Sequence, residues 1–310
     1  MIKAIWEGNS PYSKFLISVG IILLSAIFFT ILGGIFVRIF FSLSMDELTA
    51  ILKDASNPAF ISINKMMQGF SAFGAFVVPP FILAYLFSHD PISFLSLDKN
   101  PARFSYFIAI AIMIVALPFV NHLGELNSHM HLPGFLKSVE EWMKTTEEKA
   151  AEITNAFLNN QSVPDVLINL VVIALLPAVG EELLFRGVVQ KIFFQWSKNT
   201  HVAVWVTAIL FSALHMQFYG FLPRMILGGM LGYMLVWSRS LWLPIVAHFV
   251  NNAVAVVLLF LYQKGSIEIN PDTVGTESEM GSVLISFLLM IVLLFVLQRR
   301  NVPKTAAAQS

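Results

Sequence analysis

Val166-Leu167-Ile168-Asn169-Leu170-Val171-Val172-Ile173-Ala174-Leu175-Leu176-Pro177-Ala178-Val179-Gly180-Glu181-Glu182-Leu183-Leu184-Phe185-Arg186 runs apolar for most of its length and then carries two carboxylates and a guanidinium. A run of this length is that of a membrane-spanning helix, for which about 20 predominantly apolar residues suffice. A charge inside a bilayer costs from roughly 2.5 kcal/mol to more than 10 kcal/mol, and such groups persist where they face a protein interior or a wet cavity. The stretch therefore decides two things together: the chain is a membrane helix bundle, and Glu181, Glu182 and Arg186 mark its candidate site. The rest of the chain agrees. It is 57% hydrophobic with a mean hydropathy of +0.75, only 12% charged, and contains 28 phenylalanines.

The same length criterion predicts an all-α polytopic bundle of about eight spans, at 15–41, 67–88, 103–120, 163–195, 202–217, 221–238, 241–262 and 281–298. The first run is too long for a signal-peptide core and reads as a retained span. Lysine and arginine collect before span one, in alternate loops and after the last span. The intervening loops are acidic, with Glu140, Glu141, Glu147, Glu148 and Glu152 in one and Glu268, Asp272, Glu277 and Glu279 in another. The positive-inside rule then puts both termini on the cytoplasmic side of a plasma membrane. The whole chain, 1–310, reads as one membrane domain, with a disordered tail at 303–310. Ser44-Met45-Asp46-Glu47 is a capping-box pattern that predicts a short loop helix. Over 132–160, Leu132, Phe135, Leu136, Val139, Trp142 and Met143 recur at helical spacing opposite charged residues, predicting an amphipathic extramembrane helix. Packing on the bundle is the simplest role for it, with a lid or docking surface as the alternatives.

Composition excludes several classes. Nineteen acidic residues balance nineteen basic ones, so there is no basic field for nucleic acid. The absence of cysteine removes disulfides, thiolate metal sites and a cysteine nucleophile. No His-Glu-x-x-His helix is present.

Three spans carry strongly polar side chains: Glu181, Glu182 and Arg186 in the fourth, His215 in the fifth, and His248 with Asn252 in the seventh. Counted from the cytoplasmic ends, Glu181 and His215 both fall about 21 Å deep, and His248 and Asn252 about 12 and 18 Å deep. Any one of these residues alone would be read as a packing residue or as interhelical glue. Their common level is the argument for a shared cavity. Glu182 and Arg186 are four apart in the favourable order for an ion pair, which leaves Glu181, about 100° away, to serve that cavity. A carboxylate beside an imidazole, with a second imidazole and an amide as donors, suffices for hydrolysis of a peptide bond.

In order along the chain, Glu181-Glu182-x-x-x-Arg186, Phe211-x-x-x-His215 and His248-x-x-x-Asn252 resemble the CAAX protease and bacteriocin-processing (CPBP) family of intramembrane proteases. The resemblance covers about 165–262 and makes that segment the catalytic core. It implies that Glu181 and His215 activate water, that His248 and Asn252 form the oxyanion hole, and that Glu182 and Arg186 support the site. It leaves the cofactor open between none and one Zn²⁺, for which Glu181, His215 and His248 are the candidate ligands. The implied partners are a membrane-delivered peptide or protein and the bilayer, with the oligomeric state and the substrate unassigned. A proton-coupled transporter and a non-catalytic immunity or chaperone-like membrane protein are the alternatives from other classes.

Overall fold

The computed structural model describes residues 3–54, 57–159, 162–268, 270–275 and 280–301; the tail predicted at 303–310, and Glu277 and Glu279, lie outside them. Helix α1, Pro11–Phe41, enters behind Ser10, whose hydroxyl caps Ser13 N. Helix α2, Met45–Lys53, starts on the predicted capping box, with Glu47 N donating to Ser44 Oγ at 3.2 Å and Ser44 N to Glu47 Oε2 at 2.7 Å. Then follow α3, Phe60–Phe87; α4, Arg103–Val115; α5, Leu117–Ser128; α6, Lys137–Leu158; α7, Val163–Ser197; α8, Thr200–Leu214; α9, Phe221–Ser238; α10, Trp242–Gln263; and α11, Met280–Asn301. No strand occurs among the described residues.

Six helical segments are long and apolar enough to cross a membrane, and the bent pair α4–α5 makes a seventh if counted as one span. The chain is a multi-pass membrane protein. Two of the eight predicted spans differ from expectation. The span predicted at 103–120 is bent by 43° at Ala116 and runs on as α5 to Ser128. Pro118 lacks the N–H that would continue the ladder. The span predicted at 202–217 is a helix of only 15 residues that stops at Leu214, so His215 caps it rather than lying within it. Met216 adopts a left-handed backbone (φ 53°), and the chain turns back there into α9. At 1.5 Å per residue, α8 is about 22 Å long, short of a full bilayer. It brings His215 to the middle of the bundle because it ends there. The amphipathic helix predicted from 132 begins at Lys137, after a single tight turn at Gly134–Leu136 that follows Pro133.

Exposed Leu23, Leu24, Phe28 and Ile31 on α1, and Leu284, Ile285 and Val292 on α11, present apolar side chains where lipid would be. One core packs α4, α9, α10 and α11 through Ile112, Met234, Leu243, Ala247 and Met290. A second packs α3, α7 and α10 through Leu83, Phe87, Leu183, Val188 and Ile245. Helix α7, 35 residues long, belongs to the second of these cores.

Wide, π-type turns interrupt α3 at Phe73–Val77 and α7 at Leu170–Leu175 and Glu182–Val189. Such turns recur at functional sites. The first lies just ahead of Pro79 and Pro80 and the second just ahead of Pro177, prolines that withhold the N–H an α-helical ladder needs. The wide turn of α3 presses on α7 at Gly180. A Cβ there would lie 2.8 Å from Phe76 Cβ and 3.1 Å from Val77 Cγ2. Gly180→Ala is therefore expected to push the two helices apart, at a cost of about 1–3 kcal/mol. Thermal unfolding in detergent tests this against Gly69→Ala, where nothing lies within 4 Å of the added methyl. Equal unfolding temperatures for the two variants would refute the close approach.

Candidate active site

Glu182 and Arg186 lie four residues apart on one face of α7 and are fully buried (0% exposed each). Arg186 Nη1 donates to Glu182 Oε1 at 2.7 Å and Nη2 to the Gly228 carbonyl of α9 at 2.9 Å. The guanidinium also stacks on the Phe211 ring of α8, its carbon 4.7 Å from the ring centroid. Charge, hydrogen bonds and a cation–π contact thus offset its desolvation. Gly228 supplies this carbonyl and also allows close approach, since a Cβ there would lie 3.3 Å from Ala208 Cβ.

Glu182 is not spent on Arg186 alone. His248 Nδ1 donates to the same Glu182 Oε1 at 2.9 Å, tying α10 to α7. That bond fixes the imidazole with Nε2 toward Glu181, whose Oε2 lies 3.8 Å away. The Glu181 side chain is 12% exposed, and it lines a cavity of about 470 Å³ that also takes in His215, Arg224, His248, Asn251 and Asn252. A second cavity of about 400 Å³ meets the first at Thr154, Ile173, Pro177 and Glu181. Its other walls include Ala26 of α1, Gln68, Ser71, Ala75 and Phe76 of α3 and Phe157 of α6, so it reaches the carboxylate from the space where α3, α6 and α7 meet.

His215 lines the cavity from the end of α8. Its Nδ1 lies 2.7 Å from the Phe211 carbonyl, an acceptor only, so Nδ1 carries the proton and Nε2 of the neutral ring holds a lone pair. Phe211 packs edge-on to both imidazoles, 4.8 Å from His215 and 6.0 Å from His248 between ring centroids. One side chain thus spaces both histidines and roofs Arg186. No direct hydrogen bond joins Glu181 to His215.

Asn252 sits one turn after His248 on α10. Its Nδ2 donates to the Ile173 carbonyl at 3.2 Å. In a regular helix that carbonyl would accept from residue 177, but Pro177 has no N–H to give. Asn251 Nδ2 donates to Asn252 Oδ1 at 3.1 Å and sets the amide orientation. One Nδ2 hydrogen of Asn252 remains for the cavity.

Sequence reasoning missed three contributors. Asn251 orients the amide beside it, and Arg224 adds a cation to the cavity. The last turns of α6 also line it, with Thr154 and Leu158 in its wall. Amphipathic periodicity had placed that helix on the bundle without saying where it landed. It is held by Lys65 Nζ and Asn169 Nδ2, both donating to the Phe157 carbonyl.

The donor set does not fit a metal. Nδ1 of each histidine is engaged, by Glu182 and by the Phe211 carbonyl, so an ion would have to bind at the Nε2 atoms and Glu181. Among the described residues, no three His, Asp or Glu side chains converge closely enough to hold an ion.

Fold and site together define a polytopic helical membrane protein with a buried carboxylate–imidazole–amide cluster between its spans. Residues 163–254 match the family model of the type II CAAX prenyl endopeptidase Rce1-like proteins. The matched segment contains all three motifs from which the CPBP resemblance was read. The chain is also 29% identical over 121 residues to the uncharacterized protein YpbD of Bacillus subtilis (strain 168), an alignment covering 38% of this chain. It spans 57% of that relative's length. No solved structure matches.

Proposed function

We propose that the chain is an intramembrane endopeptidase that hydrolyses a peptide bond of a membrane-delivered protein or peptide, with Glu181 as the base. The observation that carries this reading is the division of labour between adjacent carboxylates. Glu182 is consumed by Arg186 and His248, whereas Glu181 opens onto both cavities.

Glu181 takes a proton from a water as its oxygen attacks the scissile carbonyl, and the Nε2 lone pair of His215 orients the same water. The oxyanion that forms accepts from the free Nδ2 hydrogen of Asn252 and from His248 Nε2. Because Nδ1–H is engaged by Glu182, donation from Nε2 requires a proton on both ring nitrogens of His248. Collapse of the tetrahedral species breaks the C–N bond, and the proton held by Glu181 passes to the leaving amine. The second cavity, walled mainly by α3, α6 and α7, is the route by which an apolar segment of the substrate reaches Glu181. Loop charge orients the bundle with both termini cytoplasmic in the plasma membrane.

Asn252→Ala is expected to lower the turnover number by about 10²–10³-fold, the usual loss for one oxyanion donor. KM should change much less, because the donor acts on the oxyanion and not on the ground-state carbonyl. Steady-state kinetics in lipid nanodiscs separates the two parameters. The function itself is tested by comparing new peptide termini in membranes of cells carrying wild type or Glu181→Gln. Fragments that vanish with the variant are the products; identical termini in both would sink the peptidase reading.

A further inference from the structure

Arg224 is the only lysine or arginine lining the 470 Å³ cavity among the described residues, and the mechanism above does not use it. It lies outside all three motifs, on the first turn of α9, in Phe218-Tyr219-Gly220-Phe221-Leu222-Pro223-Arg224. Its hydrogen-bond partners are neutral. Nη1 donates to the Gln217 carbonyl at 2.8 Å and Nη2 to Gln217 Oε1. It forms no ion pair among the described residues, although Glu147 and Glu181 act on it through space. Neither carboxylate is idle, since Glu147 Oε2 accepts from Tyr219 N at 2.9 Å and Glu181 faces His248.

The guanidinium is held in place. Asn127 of α5 clamps the turn beneath it, donating to the Phe218 carbonyl at 2.9 Å and accepting from Leu222 N at 2.7 Å. Gly220 leaves the space it occupies, for a Cβ there would lie 2.6 Å from Nη2 and 2.8 Å from Nη1. Two of its five N–H groups are used by Gln217, and three remain. A preorganised guanidinium paired only to neutral acceptors, at the wall of a cavity inside a membrane protein, is suited to an anion brought by the ligand. Its planar fork matches a carboxylate.

Resting on the peptidase reading, we propose that Arg224 is a specificity residue that binds a carboxylate of the substrate on the α8–α9 turn side of the scissile bond. The carboxylate belongs either to the substrate's C-terminus or to an acidic side chain near the cleaved bond. Both present the same group to the same fork.

Binding, not cleavage, tests it, so that failure of the peptidase reading leaves the measurement intact. The full chain carrying Glu181→Gln, in nanodiscs, is titrated with three fluorescein-labelled farnesyl-cysteine peptides. One ends in a free carboxylate, one in a carboxamide, and one in a carboxamide preceded by glutamate. The free acid, the glutamate amide or both are expected to bind about ten-fold more tightly than the plain amide, as for a charge-assisted pair. Adding Arg224→Gln should remove that preference by weakening the acid and leaving the amide unchanged. Gly220→Ala, which crowds the guanidinium, should reduce the preference in the same direction. Tight binding of the glutamate amide assigns the carboxylate to a side chain; weak binding of it, with the acid tight, assigns it to the terminus. Equal binding of all three probes, a preference that survives Arg224→Gln, or no binding of any probe overturns the proposal. A merely structural arginine would weaken acid and amide alike.

Discussion

Glu181→Gln is expected to lower kcat/KM by about 10²–10⁴-fold, the range a positioned general base contributes. Glutamine keeps the shape of the side chain and its hydrogen-bonding oxygen, so the helix contacts around it should persist. What it loses is the ability to take a proton from water. Because Glu181 carries no hydrogen bond that ties helices together, thermal unfolding of the variant should match wild type. His215→Ala should also reduce the rate, since it removes the Nε2 lone pair that holds the water. The measurement is cleavage of a quenched fluorescent peptide, identified from the termini that vanish in cells, by protein in nanodiscs. Wild-type cleavage by Glu181→Gln would remove the proposed base. A transporter would instead show flux without cleavage, and a chaperone-like protein would tolerate the amide.

The second large effect is on stability. Arg186→Met removes the only permanent cation bonded to Glu182 among the described residues and leaves a carboxylate buried beside a histidine. Breaking a buried pair from one side typically costs about 3–5 kcal/mol, because the other charge stays desolvated. A large fall in unfolding temperature is expected, together with loss of activity. The double variant Glu182→Leu with Arg186→Met should regain much of the stability, since apolar replacement of both partners is often nearly neutral. It should stay inactive, because His248 then has no acceptor for Nδ1–H and no fixed direction for Nε2. Recovery of both properties would show that the pair has no part in positioning His248. A single variant as stable as wild type would contradict the burial of the pair.

The helix inventory was largely legible in the sequence because lipid imposes one requirement on every span. Each must be apolar over about 20 residues and satisfy its own backbone hydrogen bonds. The level shared by Glu181, His215, His248 and Asn252 could be counted from residue numbers for the same reason. Prolines were visible, but their consequences were not. Pro177 leaves the Ile173 carbonyl to a side chain on another helix, and only the folded bundle shows that Asn252 supplies the donor. The short α8 was read as a longer span because apolar residues continue past Leu214, whereas the backbone turns at Met216.

Sequence by itself determined that this is a helical membrane protein, which of its spans carry ionisable groups, and the three motifs that lie within the segment 163–254 matching the Rce1-like family model. Those follow from local quantities: hydropathy, spacing and residue chemistry. Tertiary structure alone decided how the adjacent carboxylates divide their partners. Helical spacing had paired Glu182 with Arg186, but it had no means of placing His248 on the same oxygen from a helix 66 residues further on. Nor could it bring Arg224 to the cavity wall. A hydrogen bond between spans depends on helix rotation and depth to within about an ångström, and a sequence read one helix at a time specifies neither.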